Sequence, residues 1–493
     1  MVRRAARQGS VRGPSSAYNA RVPGRQRIWI AGLAAAVSAL AVLGLACHRL
    51  TDSRANTPNV ILVTIDTLRA DHLGIDGYPL DTSPSLDALA REGSYFTACY
   101  AQSAATGPSH ASLFTSNFPH STGVRSNEQQ FPELPSLVSV LRAAGYRAAG
   151  FVSSVVLGRK FGMQKVFDHF DDQATTVEVN RRERGERPAA ATFAAALDYL
   201  EAPGLREPFF LWIHLIDPHG PYEAPDNPDR FVGNVHYEKY RRELELGASN
   251  WEWNRIPAYQ ALAGATDAAF YIARYDGEIR YVDDAMGSFL ARLKQLGFYD
   301  ESLIAVTSDH GETLSEPGHK RLFSHGTIAY EEVVRVPLIV KAPRSGRALD
   351  GIRTDAPVTL LDLAPTLLAL SGLQSPETFR GRDLTRARIG PNDAIFSFGS
   401  YGSPRLEQRI GTQFTVRKGP FRYIQNTRDD SEELYDHAAD GLESQNIVTM
   451  HPSIRARLRS DLAAHFASAP AGDAESIESS REHAEKLKSL GYL

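Results

Sequence analysis

Two apolar runs, far apart in the chain, each end on a carboxylate. The first, Asn59-Val60-Ile61-Leu62-Val63-Thr64-Ile65, is followed by Asp66, and the second, Leu303-Ile304-Ala305-Val306-Thr307, leads through Ser308 to Asp309. Runs this uniformly apolar read as strands buried on both faces of an α/β sheet. Residues just past the carboxyl ends of such strands sit at the rim where α/β proteins hold ligands. A carboxylate and a carboxylate–imidazole pair, Asp309-His310, therefore share one rim. Oxygen donors with a neutral imidazole suit a divalent cation, which depresses the pKa of a nearby hydroxyl and neutralises the oxygens of an anionic ester. A hydroxyl is at hand in Thr106-Gly107-Pro108-Ser109-His110, where Gly-Pro-Ser reads as a helix start with Thr106 at its N-terminus, a natural place for an anion. Asp66, Asp309, His310 and Thr106 are thus expected to surround one ion, with Ca, Mg, Mn and Zn all compatible with the donor set.

These residues carry a resemblance. The chain resembles the sulfatase family, within the wider alkaline-phosphatase-like group of metal-dependent hydrolases. In that family the nucleophile opens a Cys/Ser-x-Pro-Ser-Arg element with Leu and Thr a few residues on. Here Thr106 holds the nucleophile's place and His110 that of the arginine, with Leu113 and Thr115 following. The match continues through Asp309-His310-Gly311-Glu312, Ser324 to Pro337, Asp362 to Thr366, Glu433 to Asp436 with Asn446, and the closing Lys488 to Leu493, so it spans about residues 58 to 493. The resemblance implies a large mixed, mostly parallel sheet flanked by helices and a smaller C-terminal α+β subdomain. It implies that His219, in Asp217-Pro218-His219-Gly220-Pro221-Tyr222, contacts the ester's oxygens, Asp217 orienting it, and that His325 stands where many sulfatases have a lysine. His110 is expected to orient Thr106, to contact the anion or to serve the structure alone. His72 and His120 read as structural.

The departures from the family pattern bear on mechanism. Sulfatases convert a cysteine or serine at the nucleophile's place to an aldehyde hydrate, which threonine cannot form. Thr67 stands where a second carboxylate usually follows Asp66, and Ser153-Ser154-Val155-Val156 replaces an element that supplies a lysine and a histidine. A threonine nucleophile resembles instead the phosphodiesterase, phosphonate hydrolase and phosphoethanolamine transferase branches. The expected activity is metal-dependent hydrolysis of phosphate, phosphonate or sulfate esters through a covalent Thr106 intermediate. The alternatives are a membrane-anchored transferase to a lipid or glycan acceptor and a binding protein that has lost turnover.

Organisation follows from composition. Residues 1–27 carry seven arginines and no acid, and Ile28 to Cys47 is apolar and long enough to span a bilayer. A lipoprotein signal acylated at Cys47, an uncleaved anchor and a cleaved secretory signal are the three readings, and all place the catalytic part outside the cytoplasm. Residues 48–57 read as a linker, 58–385 as the catalytic domain and 386–493 as the C-terminal subdomain. With 54 Lys and Arg against 58 Asp and Glu, nothing asks for nucleic acid; a small-molecule, lipid or glycan ester is the expected partner, and oligomeric state is silent. Cys47 and Cys99 are the only cysteines, so no disulfide framework exists, and Cys99 reads as a small buried apolar side chain. Helices are expected at Pro84–Glu92, capped by Ser83, at Pro135–Ala144, Asp267–Leu296 and Ala474–Leu490, and strands at Tyr146–Val152 and Phe209–Leu215. Alternation in 414–417 and 421–424 reads as a small antiparallel sheet. The polar, aromatic stretch 226–265, with Trp251 and Trp253, reads as a wall for substrate.

Overall fold

Burial on both faces makes the strand Asn59–Ile65 (β1) the centre of the molecule. In the computed structural model every one of its seven residues is buried. The structure describes residues 57–468 and 472, apart from 179–180, 250–251, 263, 345–348, 350–352, 400–410 and 412. The basic segment 1–27, the apolar stretch 28–47, all of the linker 48–57 but Thr57, Trp251 and the expected helix 474–490 lie outside the described residues. Residues 58–493 form one unit.

The main sheet continues with Ser94–Tyr100 (β2), Arg147–Val152 (β3), His169–Asp171 (β4), Phe209–Leu215 (β5), Ser302–Ser308 (β6), Arg335–Lys341 (β7), Arg353–Thr354 (β8) and Val358–Thr359 (β9). Its order is β8-β2-β7-β6-β1-β5-β3-β4, with β9 also on β2. β7 runs against both its neighbours, whereas β6, β1, β5, β3 and β4 are all parallel. The sheet is thus mixed and mostly parallel, as expected.

Side chains alternate across the sheet. Ile61, Val63 and Ile65 pack on one side against the helices Pro84–Glu92 (α1), Ala189–Glu201 (α4) and Ala268–Leu296 (α5). Val60 and Leu62 face the other side, with Thr106–Thr115 (α2), Leu137–Ala143 (α3) and Leu363–Leu370 (α6). Each fully buried aliphatic side chain contributes about 1.5–3 kcal/mol relative to exposure, so these two clusters are the main source of stability. Cys99 lies in the second cluster.

The 29 residues of α5 are flanked by Asp267, whose carboxylate caps the Ala269 N–H, and by Gly297 in the left-handed conformation. The start of α1 differs from expectation. Ser83 occupies the cap position, but its hydroxyl donates to Asp87 Oδ1. The cap comes from α5 instead: Asp283 accepts from the N–H groups of Ser85 and Leu86, both at 2.8 Å.

Ile395–Gly399 (β10), Gln413–Lys418 (β11), Phe421–Asn426 (β12) and Glu432–Asp436 (β13) form an antiparallel meander. It carries the alternation seen in the sequence. A helix that the sequence reading did not separate, Pro452–Ser468 (α7), covers it through Leu458 and Leu462, which meet Val416, Tyr423 and Leu434. Among the described residues no helix is long and apolar enough to cross a membrane.

Burial pushes the Asp283 carboxyl up to about 6 even though two N–H groups donate to it. Asp283→Ala should lower stability by about 1–2 kcal/mol, a fall of a few degrees in Tm. An unchanged Tm would show that α1 needs no cap from α5.

Candidate active site

Parallel register builds the rim. Ile65 lies opposite Ser308 in β6 and opposite Leu215 in β5. The next residues, Asp66 and Asp309, therefore leave the sheet side by side, while the chain beyond Leu215 runs on to Asp217 and His219. Asp66, Asp309 and His310 are all completely buried, and their ligand atoms lie within 4.8 Å of one another. Asp66 Oδ1 is 3.7 Å and Asp309 Oδ2 3.5 Å from His310 Nε2.

Hydrogen bonds settle the imidazole's tautomer. His310 Nδ1 is 3.0 Å from the Gly311 carbonyl, which can only accept, so the proton is on Nδ1. The Nε2 lone pair then faces both carboxylates. Asp309 Oδ1 accepts from the His310 N–H at 2.9 Å, while the buried Oδ2 has no hydrogen-bonding partner. Two buried carboxylates, one with an unsatisfied oxygen, beside an imidazole lone pair form a donor set that fits a divalent cation. Gly311 permits the close turn: a Cβ there would lie 2.1 Å from the Glu332 carbonyl oxygen.

Thr106 is the first residue of α2 and is completely buried, with Oγ1 3.3 Å from His310 Nε2. The helix is fastened to the rim, because Ser109 Oγ donates to the Asp309 carbonyl at 2.6 Å. His110 holds the same turn from below. Its Nδ1 donates to the Thr106 carbonyl at 2.8 Å, and its Nε2 accepts from Thr64 Oγ1 at 3.0 Å. Thr64 Oγ1 in turn accepts from Trp212 Nε1 at 3.1 Å. Burial lowers the His110 pKa, against the opposing pull of Asp309. Neutral, His110 has both nitrogens engaged inward, one of them on the Thr106 carbonyl.

His219 and His325 sit on the other side of the cluster. Their ring centroids are 5.1 Å apart, and His325 stacks on His310 at 4.6 Å. His219 Nδ1 donates to the Gly220 carbonyl at 2.8 Å. His325 Nδ1 meets Glu312 Oε1 at 3.1 Å. Burial drives the His325 pKa well below its ordinary range, with His310 adding to the shift, and drives Glu312 well above its own. Asp217 Oδ2 accepts the Ala189 N–H at 2.9 Å and caps α4, while the Gly220 carbonyl holds His219 Nδ1. The segment 226–265 does reach the site, since Tyr259 lies 6.0 Å from His219, ring to ring, and its hydroxyl donates to the Phe323 carbonyl.

His72 is bound to Asp276 at 2.6 Å, and His120 lies among Phe118, His465 and Phe466, both outside this cluster. Sequence reasoning missed two neighbours. His214, completely buried in β5, has Nε2 3.7 Å from Asp66 Oδ2, and neither ring nitrogen has a hydrogen-bonding partner. A histidine inside an apolar strand was its only signal. Asn127 accepts the Gly107 N–H at 2.7 Å, in an irregular segment without a signal.

An alkaline-phosphatase-like sheet with two carboxylates, an imidazole and a hydroxyl at its rim is the arrangement of an ester hydrolase with a candidate metal site. The chain belongs to the sulfatase family: the Sulfatase model matches residues 58–373, and the model of the N-sulphoglucosamine sulphohydrolase C-terminal region matches 318–467. It is 24% identical over 444 residues to an ulvan-active sulfatase of Formosa agariphila, covering 82% of this chain and 81% of that protein. It is 25% identical over 496 residues to an N-acetylglucosamine-6-O-sulfatase of Bacteroides thetaiotaomicron, covering 83% and 86%. The fold is also that of a phosphonate monoester hydrolase from Silicibacter pomeroyi, with a TM-score of 0.66 at 22% identity over 85% of this chain and 99% of the other. Sulfatases are metal-dependent, and this chain is accordingly a hydrolase of sulfate or phosphate esters.

If Asp309 is a ligand, Asp309→Asn should lower the metal content of the purified protein together with activity, because an amide is a poorer partner for a divalent cation. Elemental analysis showing full occupancy in the variant would remove Asp309 from the site.

Proposed function

We propose that the chain hydrolyses esters of phosphorus, phosphodiesters or phosphonate monoesters, in preference to sulfate esters, through a covalent intermediate on Thr106. The observation that supports this most directly is a threonine hydroxyl, not a cysteine or serine side chain, 3.3 Å from His310 Nε2 within the Asp66, Asp309 and His310 cluster. A divalent cation held by those three residues would lower the pKa of the hydroxyl and neutralise charge on the ester.

Thr106 Oγ1 supplies the attacking atom and forms the new bond to phosphorus as the bond to the leaving alcohol breaks. In the first turn of α2 His110 fixes the Thr106 carbonyl, so that the hydroxyl keeps its direction. The proton that Thr106 gives up passes to the acceptor nitrogen of His219 or His325, and the imidazolium so formed binds a non-bridging oxygen or hands that proton to the leaving oxygen. Water then attacks the phosphorylated threonine, returning Thr106 to its alcohol and releasing the acid.

Release decides between the two ester classes. A sulfated threonine has no second hydroxyl on the same carbon to expel the sulfate and must await water, whereas a phosphorylated threonine is open to in-line attack. Ser153 adds no cation at the place where sulfatases carry a lysine and a histidine: its hydroxyl is bound to Thr192 and to the His214 carbonyl. The relatives named as sulfatases of ulvan and of N-acetylglucosamine support a glycan as the carrier of the ester.

The arginine-rich 1–27 and apolar Ile28 to Cys47 support an extracytoplasmic, membrane-attached location. Full-length protein should fractionate with membranes. Release by Cys47→Ser identifies a lipid anchor and retention a span, and recovery of the parent in the cytoplasm would sink both.

Thr106→Ala should fold normally and lower kcat on the order of a thousandfold; near-normal turnover would exclude Thr106 as the nucleophile. Aryl phosphodiester or phosphonate should be turned over faster than aryl sulfate, which should give a burst equal to the enzyme concentration. Steady turnover favouring aryl sulfate, with Thr106 shown to be unmodified by mass spectrometry, would overturn the proposed preference.

A further inference from the structure

The turn that carries Asp66 out of β1 does not hold itself. Thr67, completely buried, has φ of +56°, a left-handed conformation that β-branched residues avoid. Something outside the turn must impose it. Two hydroxyls do so. Tyr275, from the middle of α5, donates its phenol proton to the Thr67 carbonyl at 2.7 Å and accepts from the Arg69 N–H at 3.0 Å. Burial pushes the Tyr275 pKa well upward, so the phenol stays a donor. Ser308, the last residue of β6, accepts from the Leu68 N–H at 3.0 Å and donates to the His310 carbonyl at 2.5 Å.

Four backbone groups of this turn are taken by defined partners. The Asp66 N–H continues the β1–β5 pairing to the Leu215 carbonyl at 2.9 Å. The Thr67 carbonyl and the Arg69 N–H go to Tyr275, and the Leu68 N–H goes to Ser308. Register explains why Ser308 can serve both sides. It lies opposite Ile65, the residue before Asp66, and it immediately precedes Asp309.

We infer that Tyr275 and Ser308 are positioning residues for the cation site, a pair of hydroxyls that hold the Asp66 carboxylate in register with Asp309 and His310. The inference rests on the proposed metal site and deepens it. Without Tyr275 the peptide after Asp66 is free to relax from the left-handed conformation, and that rotation turns the carboxylate away from its two companions. Without Ser308 the two carboxylate-bearing strand ends lose the hydroxyl that joins them. Neither residue touches the ester. Both act through Asp66, as partners of metal ligands do elsewhere, where their loss lowers metal affinity about 10- to 100-fold.

The test is the Mn2+ dissociation constant of metal-stripped full-length protein, measured by titration calorimetry alongside Tm without metal. Tyr275→Phe, which keeps the ring, and Ser308→Ala should each weaken Mn2+ binding by roughly tenfold or more. Asp276→Asn is the control on the same helix: Asp276 binds His72, Tyr78 and Tyr237 rather than the turn. It should lower Tm with the Mn2+ constant unchanged. Constants within twofold of the parent for both hydroxyl variants would overturn the inference, as would an equal weakening in Asp276→Asn, which would mean general loosening. If Tyr275→Phe does not fold, Ser308→Ala decides. A parent that binds Mn2+ normally while both variants do too defeats this inference alone; a parent that binds none of Ca2+, Mg2+, Mn2+ and Zn2+ defeats the metal site and the inference with it.

Discussion

Two carboxylates without solvent, side by side at the ends of neighbouring parallel strands, are the constraint on which the rest of this structure depends. At a separation of about 5 Å and an effective dielectric near 20, their repulsion is on the order of 3 kcal/mol, before the cost of removing each from water. The register of β1 and β6 leaves no freedom to separate them, since sliding one strand by a residue would turn both core faces inside out. A cation between them removes the conflict. The burial that makes the pair costly also makes it a strong ion site, because every charge there acts through a low dielectric.

The neighbouring groups are arranged around that candidate ion site rather than around solvent. Carbonyls fix the protons of His110, His219 and His310 on Nδ1, which turns each Nε2 into an acceptor. His310 directs that lone pair at the carboxylates, and His110 directs it at Thr64, ending a chain that starts at Trp212. Three segments distant in sequence are then joined by side chains bonded to backbone. Ser109 ties α2 to Asp309, Ser308 ties the Asp66 turn to His310, and Arg69 Nη1 reaches the Glu312 carbonyl at 3.0 Å. Such bonds hold backbone rather than rotatable side-chain ends, so they transmit position with little slack.

What was legible in the sequence follows the same logic. Asp66, Asp309, His310 and Thr106 stood out because each ends an apolar run or opens a helix, and parallel pairing does the rest. β1, β5, α1 and α5 emerged from periodicity and from their terminal residues for the same reason. The contacts that were not legible are those between elements whose relative placement no local pattern encodes. Asp283 caps α1 from 197 residues away, a task that Ser83 seemed placed to do. Asp217 looked like a partner of the nearby His219 and instead caps α4. His214 was hidden by an apolar strand in which every second residue is core on either reading. α7 went unseen because its apolar residues do not form a pronounced stripe, and only the meander beneath it gives Leu458 and Leu462 a reason to be buried.

The meander itself bears on the site. The segment that carries His325 runs between His310 and β7 and is held at both ends by buried charge. At one end Glu316 is bound to Arg69 at 2.5 Å, next to the Asp66 turn. At the other, Glu331 pairs with Arg422, which is completely buried and also pairs with Glu443 at 2.8 Å. His319 bridges Glu332 at 2.8 Å and the Glu443 carbonyl at 3.1 Å. Burial opposes its charge, but Glu332, Glu316 and Glu443 together raise it to about 9, so it is cationic at neutral pH. A buried pair stripped of one partner costs several kcal/mol because the survivor keeps its charge without compensation. The segment therefore cannot leave Arg422 without taking Glu331 away from that guanidinium. Arg422 lies on β12 and Glu443 in the loop after β13, so the C-terminal sheet helps to hold the segment that carries His325.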